Sequence, residues 1–206
     1  MAQLDKKEHT SKSKTKRQFL PPLQKRIFLC LAKTHPQTIN ETKDAISGHY
    51  KSTWTAFNSL EGKGIITKMG VKPYRGNEYP CFWLTPAGIF IALVEDIKPS
   101  ALLTKTIEFY AENKTLQCIV EVATVLGTDM YRIAYPSILG KGILEKDDIA
   151  LMFATQLQKE LSLKQIKDLI SIMRKYPEQF GDFKDQRAQM LENLKKVELF
   201  LKDTNE

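Results

Sequence analysis

The chain has little of what metal, disulfide and membrane proteins depend on. It holds 3 cysteines and 3 histidines in 206 residues. Cys30, Cys81 and Cys118 are odd in number, widely spaced and set among apolar residues, which fits small buried hydrophobes in a reducing compartment and implies no disulfide framework. His9, His35 and His49 match neither a His-Glu-x-x-His helix nor a Cys/His finger, so neither a metal nor a cofactor is expected. The N-terminus lacks the apolar core of a signal peptide, and apolar runs such as residues 89–94 are far too short to span a bilayer, so a cytoplasmic protein without a membrane partner is expected. Acid-base or nucleophilic catalysis needs a cluster of suitable groups, and the histidines lie outside any such arrangement. The adjacent carboxylates Glu145, Asp147 and Asp148 read as charges favoured at a helix N-terminus rather than as a metal site. The sequence therefore reads as that of a non-enzyme.

Against these absences stands an ordinary globular composition, 42% hydrophobic and 27% charged, which can supply a buried core. The net charge of +7 is unevenly distributed. Residues 1–18 carry six Lys/Arg against two Asp/Glu, residues 19–97 nine against six, and residues 98–206 sixteen against sixteen. All the excess positive charge lies toward the N-terminus. A basic half joined to a neutral half suits a polyanion-binding head on a body with another task.

Three segments follow. Residues 1–18 alternate Lys, Ser and Thr with almost no apolar content, and read as a flexible basic tail, either solubilising or following phosphates. In residues 19–97, Leu23, Ile27, Phe28, Leu31 and Ala32 recur at helical spacing before His35-Pro36 ends the run. Thr38-Ile39-Asn40-Glu41 is a capping box opening a short helix through Ile46. Ser47-Gly48-His49 forms a turn in which Gly48 can take positive φ, and a third helix spans about 50–63 until Gly64 ends it. Strands are expected over 65–69 and 79–84, with a long polar tip between them containing Gly70, Pro73, Gly76 and Asn77. Thr85-Pro86 then caps an apolar helix over 87–96. Residues 98–206 read as all-helical, with helices over 101–112, 116–126, 130–139, 146–161, 162–175 and 182–202, and with a second capping box at Ser162 to Gln165. The fold class is mainly α with a small β-hairpin, an N-terminal domain of 19–97 preceding a helical domain of 98–206.

The order of helices, hairpin and Thr85-Pro86-Ala87-Gly88 helix, with the stretch Phe57-Asn58-Ser59-Leu60-Glu61-Gly62-Lys63-Gly64-Ile65-Ile66 and the strand end Phe82-Trp83-Leu84, resembles the winged helix-turn-helix family. The likeness is to bacterial and archaeal regulators of the multiple-antibiotic-resistance and arsenical-resistance types, over residues 19–97. It implies a sequence-specific double-stranded-DNA-binding transcription regulator, with the helix at about 50–63 in the major groove and a wing at about 70–78 on the backbone or minor groove. Independently of the family, a helix read in the major groove needs one anchoring apolar face and one face of short or basic side chains. Thr53, Phe57 and Leu60 supply the first. For the second, Tyr50, Lys51, Ser52, Thr55 and Asn58 are the candidates, with Lys51 and Ser52 on phosphates and Thr55 and Asn58 on base edges. In the wing, Lys72, Tyr74, Arg75 and Asn77 combine cations, an aromatic and a flexible turn suited to phosphates or a narrow minor groove. The bland alternatives are a solvated amphipathic face and a polar hairpin tip. Trp54 departs from the family's pattern of a small or polar residue there; it could pack back on the second helix, cover the C-terminal domain, or touch the DNA backbone and thymine methyls, and packing against the protein is its expected fate. Phe82 and Leu84 are expected to alternate inward.

The last expected helix carries a stripe of Phe183, Met190, Leu194, Val197 and Leu201, from which a homodimer is expected, the alternative being an intrachain bundle. A small-molecule effector has no support in the sequence. Tyr110, Cys118, Tyr131, Arg132 and Tyr135 could line a pocket but read better as packing. The rival function is a winged-helix protein-interaction subunit of a transcription, replication or partition assembly, which exposed Trp54 and Trp83 would favour.

Overall fold

The computed structural model describes residues 20–129 apart from Arg75 and Asp96, together with Tyr131 and residues 161–183; Tyr74 and residues 181–183 are described by their backbone alone. Among these are seven α-helices, one three-ten helix and one three-stranded antiparallel sheet. No described helix is long and apolar enough to cross a membrane. The helices expected over 130–139, 146–161 and 182–202 lie outside the described residues, or almost wholly so. The stripe on the last of them beyond Phe183, the basic tail, Glu145, Asp147, Asp148, Arg132 and Tyr135 fall there too.

Helix α1 (Pro22–Lys33) starts on a proline, whose missing N–H costs nothing in the first turn, and buries Ile27, Phe28, Leu31 and Ala32. The two-residue strand β1 (Gln37–Thr38) is not legible as a strand in the sequence. Thr38 is also the N-cap of α2 (Ile39–Ala45), accepting from the Glu41 N–H at 3.1 Å while the Glu41 carboxylate accepts from the Thr38 N–H at 2.7 Å. The turn after α2 corrects one expectation. Ser47, not Gly48, holds the left-handed conformation, at φ 50°. The Gly48 N–H returns to the Lys43 carbonyl at 2.9 Å and the Ser47 N–H to the Asp44 carbonyl at 3.2 Å, the paired closure that places its left-handed residue directly after the C-cap. Gly48 serves a different need, since a Cβ there would lie 3.0 Å from Thr53 Oγ1 and 3.2 Å from Ile46 Cγ1.

Helix α3 (Tyr50–Gly62) ends in the same closure, now with a glycine in the left-handed site. Gly64 has φ 66°, its N–H reaches the Glu61 carbonyl at 2.8 Å, and the Ile65 N–H reaches the Leu60 carbonyl at 3.0 Å. Strands β2 (Ile66–Tyr74) and β3 (Asn77–Leu84) then pair antiparallel, and the sheet order is β1-β3-β2. The expected long polar tip is instead mostly strand. Tyr74 pairs with Asn77 across a two-residue turn, and Gly70 (φ 131°) sits at a register shift after Lys68. The glycine and proline that suggest a loop are compatible with pairing because β2 is an edge strand, where Pro73 is tolerated and a bulge accommodates Gly70.

Helix α4 (Pro86–Val94) is capped by Thr85, whose hydroxyl accepts from the Gly88 N–H at 3.0 Å and donates to the Gly64 carbonyl at 2.6 Å. Helices α5 (Pro99–Phe109), α6 (Lys114–Leu126) and α7 (Leu163–Lys175) follow, with the three-ten helix Pro177–Phe183. The Ser162 capping box is formed as the sequence predicts. One hydrophobic cluster runs without interruption from Leu20 to Phe180. Trp83 explains the continuity across Lys98. Trp83 is buried as well as Phe82 and Leu84, because Phe109 and Tyr110 of the α5 end cover its face of β3, with ring centroids 5.0 and 6.1 Å from Trp83. The Trp83 indole N–H donates to the Leu31 carbonyl at 3.0 Å and the Tyr110 hydroxyl to the Leu84 carbonyl at 2.7 Å. Lys105, largely buried, spends its ammonium on the Thr34 carbonyl at the end of α1.

Candidate nucleic-acid interface

Helix α3 is held from one side only. Thr53, Ala56, Phe57 and Leu60 are buried, and Phe57 meets Phe82 of β3 edge-to-face at 5.2 Å. Gln24 of α1 donates to Ser59 Oγ at 3.0 Å and accepts from Lys63 at 2.9 Å. Arg26 of α1 donates to the Ile46 carbonyl and so fixes the end of α2 just before the turn. The Thr53 hydroxyl is wholly buried without a hydrogen-bond partner, so this face contributes apolar packing and little else.

The opposite face of α3 carries Tyr50, Lys51, Ser52, Trp54, Thr55 and Asn58, all exposed. The five sequence-predicted α3 residues are thus brought together on one surface. Lys51, Thr55 and Asn58 succeed one another at four- and three-residue steps and form one ridge, flanked by Tyr50 and Trp54 one turn apart. The Lys51 side chain makes no hydrogen bond or ion pair with the described residues, which leaves its ammonium available. The Thr55 hydroxyl donates to the Lys51 carbonyl at 2.9 Å, so its proton is spent inside the helix and what it offers outward is an acceptor oxygen and a methyl.

Trp54 corrects the expectation that it would pack against the protein. It is 48% exposed, beside Tyr50 at 51%. The signal is present in the sequence: one residue beyond Thr53 a helix has turned about 100°, which carries Trp54 off the buried stripe. Trp83, by contrast, is fully buried.

The hairpin residues form a second group. Lys72 is half-buried, and its ammonium donates to the Pro36 carbonyl in the loop before β1, leaving two of its three donors. Asn77 is exposed and pairs through its backbone with Tyr74 at the hairpin end. Arg75 lies outside the described residues, and the Tyr74 side chain with it. No hydrogen bond joins the hairpin group to the α3 group among the described side chains. The turn at the hairpin tip contains Gly76, at φ 81°.

Away from this surface several ionisable groups are buried in the core or paired with one another. Burial pushes the Tyr110 hydroxyl and the Cys118 thiol each up to about 12, and Tyr131 well above its ordinary value. Tyr131 donates to the Ile119 carbonyl and meets Phe90 edge-to-face at 5.2 Å. Tyr110, Cys118 and Tyr131 are therefore packing residues. Glu121 Oε2 accepts from Lys175 at 2.6 Å and from the Tyr176 hydroxyl at 2.8 Å, which ties α7 to α6. Burial lowers Lys105 and raises Cys30. Among the described residues no group of three His, Cys, Asp or Glu side chains could hold a metal ion. No protein-family model, curated protein or solved structure matches the chain.

Proposed function

We propose that residues 19–97 are a winged helix-turn-helix and that the protein is a double-stranded-DNA-binding transcription regulator, with α3 in the major groove and the β2–β3 hairpin as a wing on the backbone. The observation that carries this reading is the two-sided character of α3. One face is anchored by Phe57 and Leu60, while the other presents Lys51, Ser52, Thr55 and Asn58 with nothing covering them among the described residues. A helix that follows a short helix and a tight turn, held from behind and polar in front, has the form that enters a groove about 12 Å wide. The sheet order β1-β3-β2 and the hairpin after α3 support the same reading. The excess of Lys and Arg in residues 1–97 supplies the long-range attraction to phosphates. A homodimer through the C-terminal helices would set two such helices on two half-sites.

The exposure of Trp54 beside Tyr50 favours a second reading, a winged helix that docks on another protein of a transcription, replication or partition assembly. Fluorescence-anisotropy titration with mixed-sequence duplex across a salt series separates the two. The DNA reading predicts a steep salt dependence, each neutralised phosphate adding about −0.9 to the log–log slope, that flattens in Lys51→Ala/Arg75→Ala. An absence of binding at low salt makes protein docking the leading function.

A further inference from the structure

We infer that the Tyr50–Trp54 ridge of α3, with the Thr55 methyl beside it, reads the 5-methyl groups of thymine, so that the chain selects its duplex partly by apolar contact in the major groove. The inference rests on the DNA-binding reading above and assigns that surface a chemical preference. Four large hydrophobic side chains are markedly exposed among the described residues: Tyr50, Trp54, Val71 and Ile107. Val71 and Ile107 stand singly on β2 and α5, as scattered surface hydrophobics commonly do. Tyr50 and Trp54 are one turn apart on one helix, where side chains four residues apart are neighbours. Folding gives no reason for a tryptophan to stand half in solvent, since burial of its large ring is favourable.

What the ridge meets follows from the groups around it. Of the groups on the base edges in the major groove, the C5 methyl of thymine is the apolar one, and apolar or threonine-methyl contacts pair with it. Thr55 has already spent its proton on the Lys51 carbonyl, so it cannot act as a hydrogen-bond donor to a base without breaking that bond. Its methyl and the Trp54 ring extend one apolar strip along the helix. Lys51 adjoins that strip with an uncommitted ammonium, which suits a polyanion better than an apolar protein groove.

The test compares binding of the full chain to two duplexes of identical sequence, rich in A·T pairs, one with thymine and one with uracil at every thymine position. Uracil keeps every hydrogen-bonding group and removes only the methyl. The wild-type chain is expected to bind the thymine duplex more tightly, by about fourfold for each methyl contacted, the equivalent of about 0.8 kcal/mol per buried CH₂. In Trp54→Ala the ratio is expected to fall toward one, and in Trp54→Phe to lie between; emission from the buried Trp83 reports that both variants are folded. Equal binding of the two duplexes by the wild type, with salt dependence intact, would overturn methyl reading and leave the DNA-binding reading standing. A Trp54→Ala chain that kept the wild-type ratio would overturn the assignment to this ridge. Binding of neither duplex would overturn both.

Discussion

Gly88 is the residue on which the junction of α3, hairpin and α4 turns. A Cβ placed there would lie 2.1 Å from the Ile65 carbonyl oxygen, a backbone atom that cannot swing away. Gly88→Ala is therefore expected to cost about 3 kcal/mol or more, the upper part of the range for forcing an atom into a filled space, and to lower the urea midpoint accordingly. Gly62 is the internal comparison, exposed at the end of α3 with nothing within 4 Å of where a Cβ would stand, so Gly62→Ala is expected to raise stability by about 0.5–1 kcal/mol. Gly48 and Ser47 show what single residues conceal. A glycine beside a turn invites the inference of positive φ, yet here the serine takes it and the glycine clears space for Thr53 and Ile46. Which of two neighbours bears the backbone strain depends on the closing hydrogen bonds, and these depend on where the helix stops.

At the scale of elements, caps are the most legible features because they are local. The boxes at Thr38 and Ser162 and the Thr85-Pro86 start are all formed, each requiring only residues within a turn of one another. Thr85→Ala removes a cap that also ties α4 to the Gly64 carbonyl, and is expected to cost about 1 to 2 kcal/mol in equilibrium unfolding. The features that escape the sequence are those fixed by distant partners. Strand β1 is two residues long and exists because β3 pairs with it. The length of β2 depends on β3 opposite, while its glycine and proline argue locally against a strand. Trp83 faces away from Phe82 and is buried only because α5 arrives from residues 99–109. The exposed face of α3 is legible residue by residue, and Trp54 is the exception because a tryptophan's average preference for burial conflicts with its position on the helix, and the position wins.

At the scale of the whole molecule, α1 to α7 share one core, and its ionisable groups make stability depend on pH in the alkaline range. Cys118 and Tyr110 are each held up to about 12 by burial, against ordinary values of 9.0 and 10.0. The folded chain thus keeps these protons where the unfolded chain has released them, so their contribution is fully present below about pH 9 and is lost as pH rises toward 12. Lys105 has a lowered value, so the folded chain releases that proton first as pH climbs. The melting temperature is expected to fall from about pH 9 upward, as the buried acids Cys118, Tyr110 and Tyr131 outweigh Lys105. Cys118→Ala should melt lower at neutral pH, having lost packing, but with a shallower alkaline decline.

The central claim is that the solvent face of α3 is the face that duplex DNA covers, and the chain carries its own reporter for it. Of its 2 tryptophans, Trp54 is on that face and Trp83 is sealed in the core. Titration with duplex at low salt, followed by intrinsic fluorescence alongside anisotropy, tests the claim most directly. A change in tryptophan emission that saturates with the anisotropy signal, reverses on adding salt and vanishes in Trp54→Phe is the predicted result. Binding that saturates with no change in Trp54 emission, or no binding at all, would contradict it.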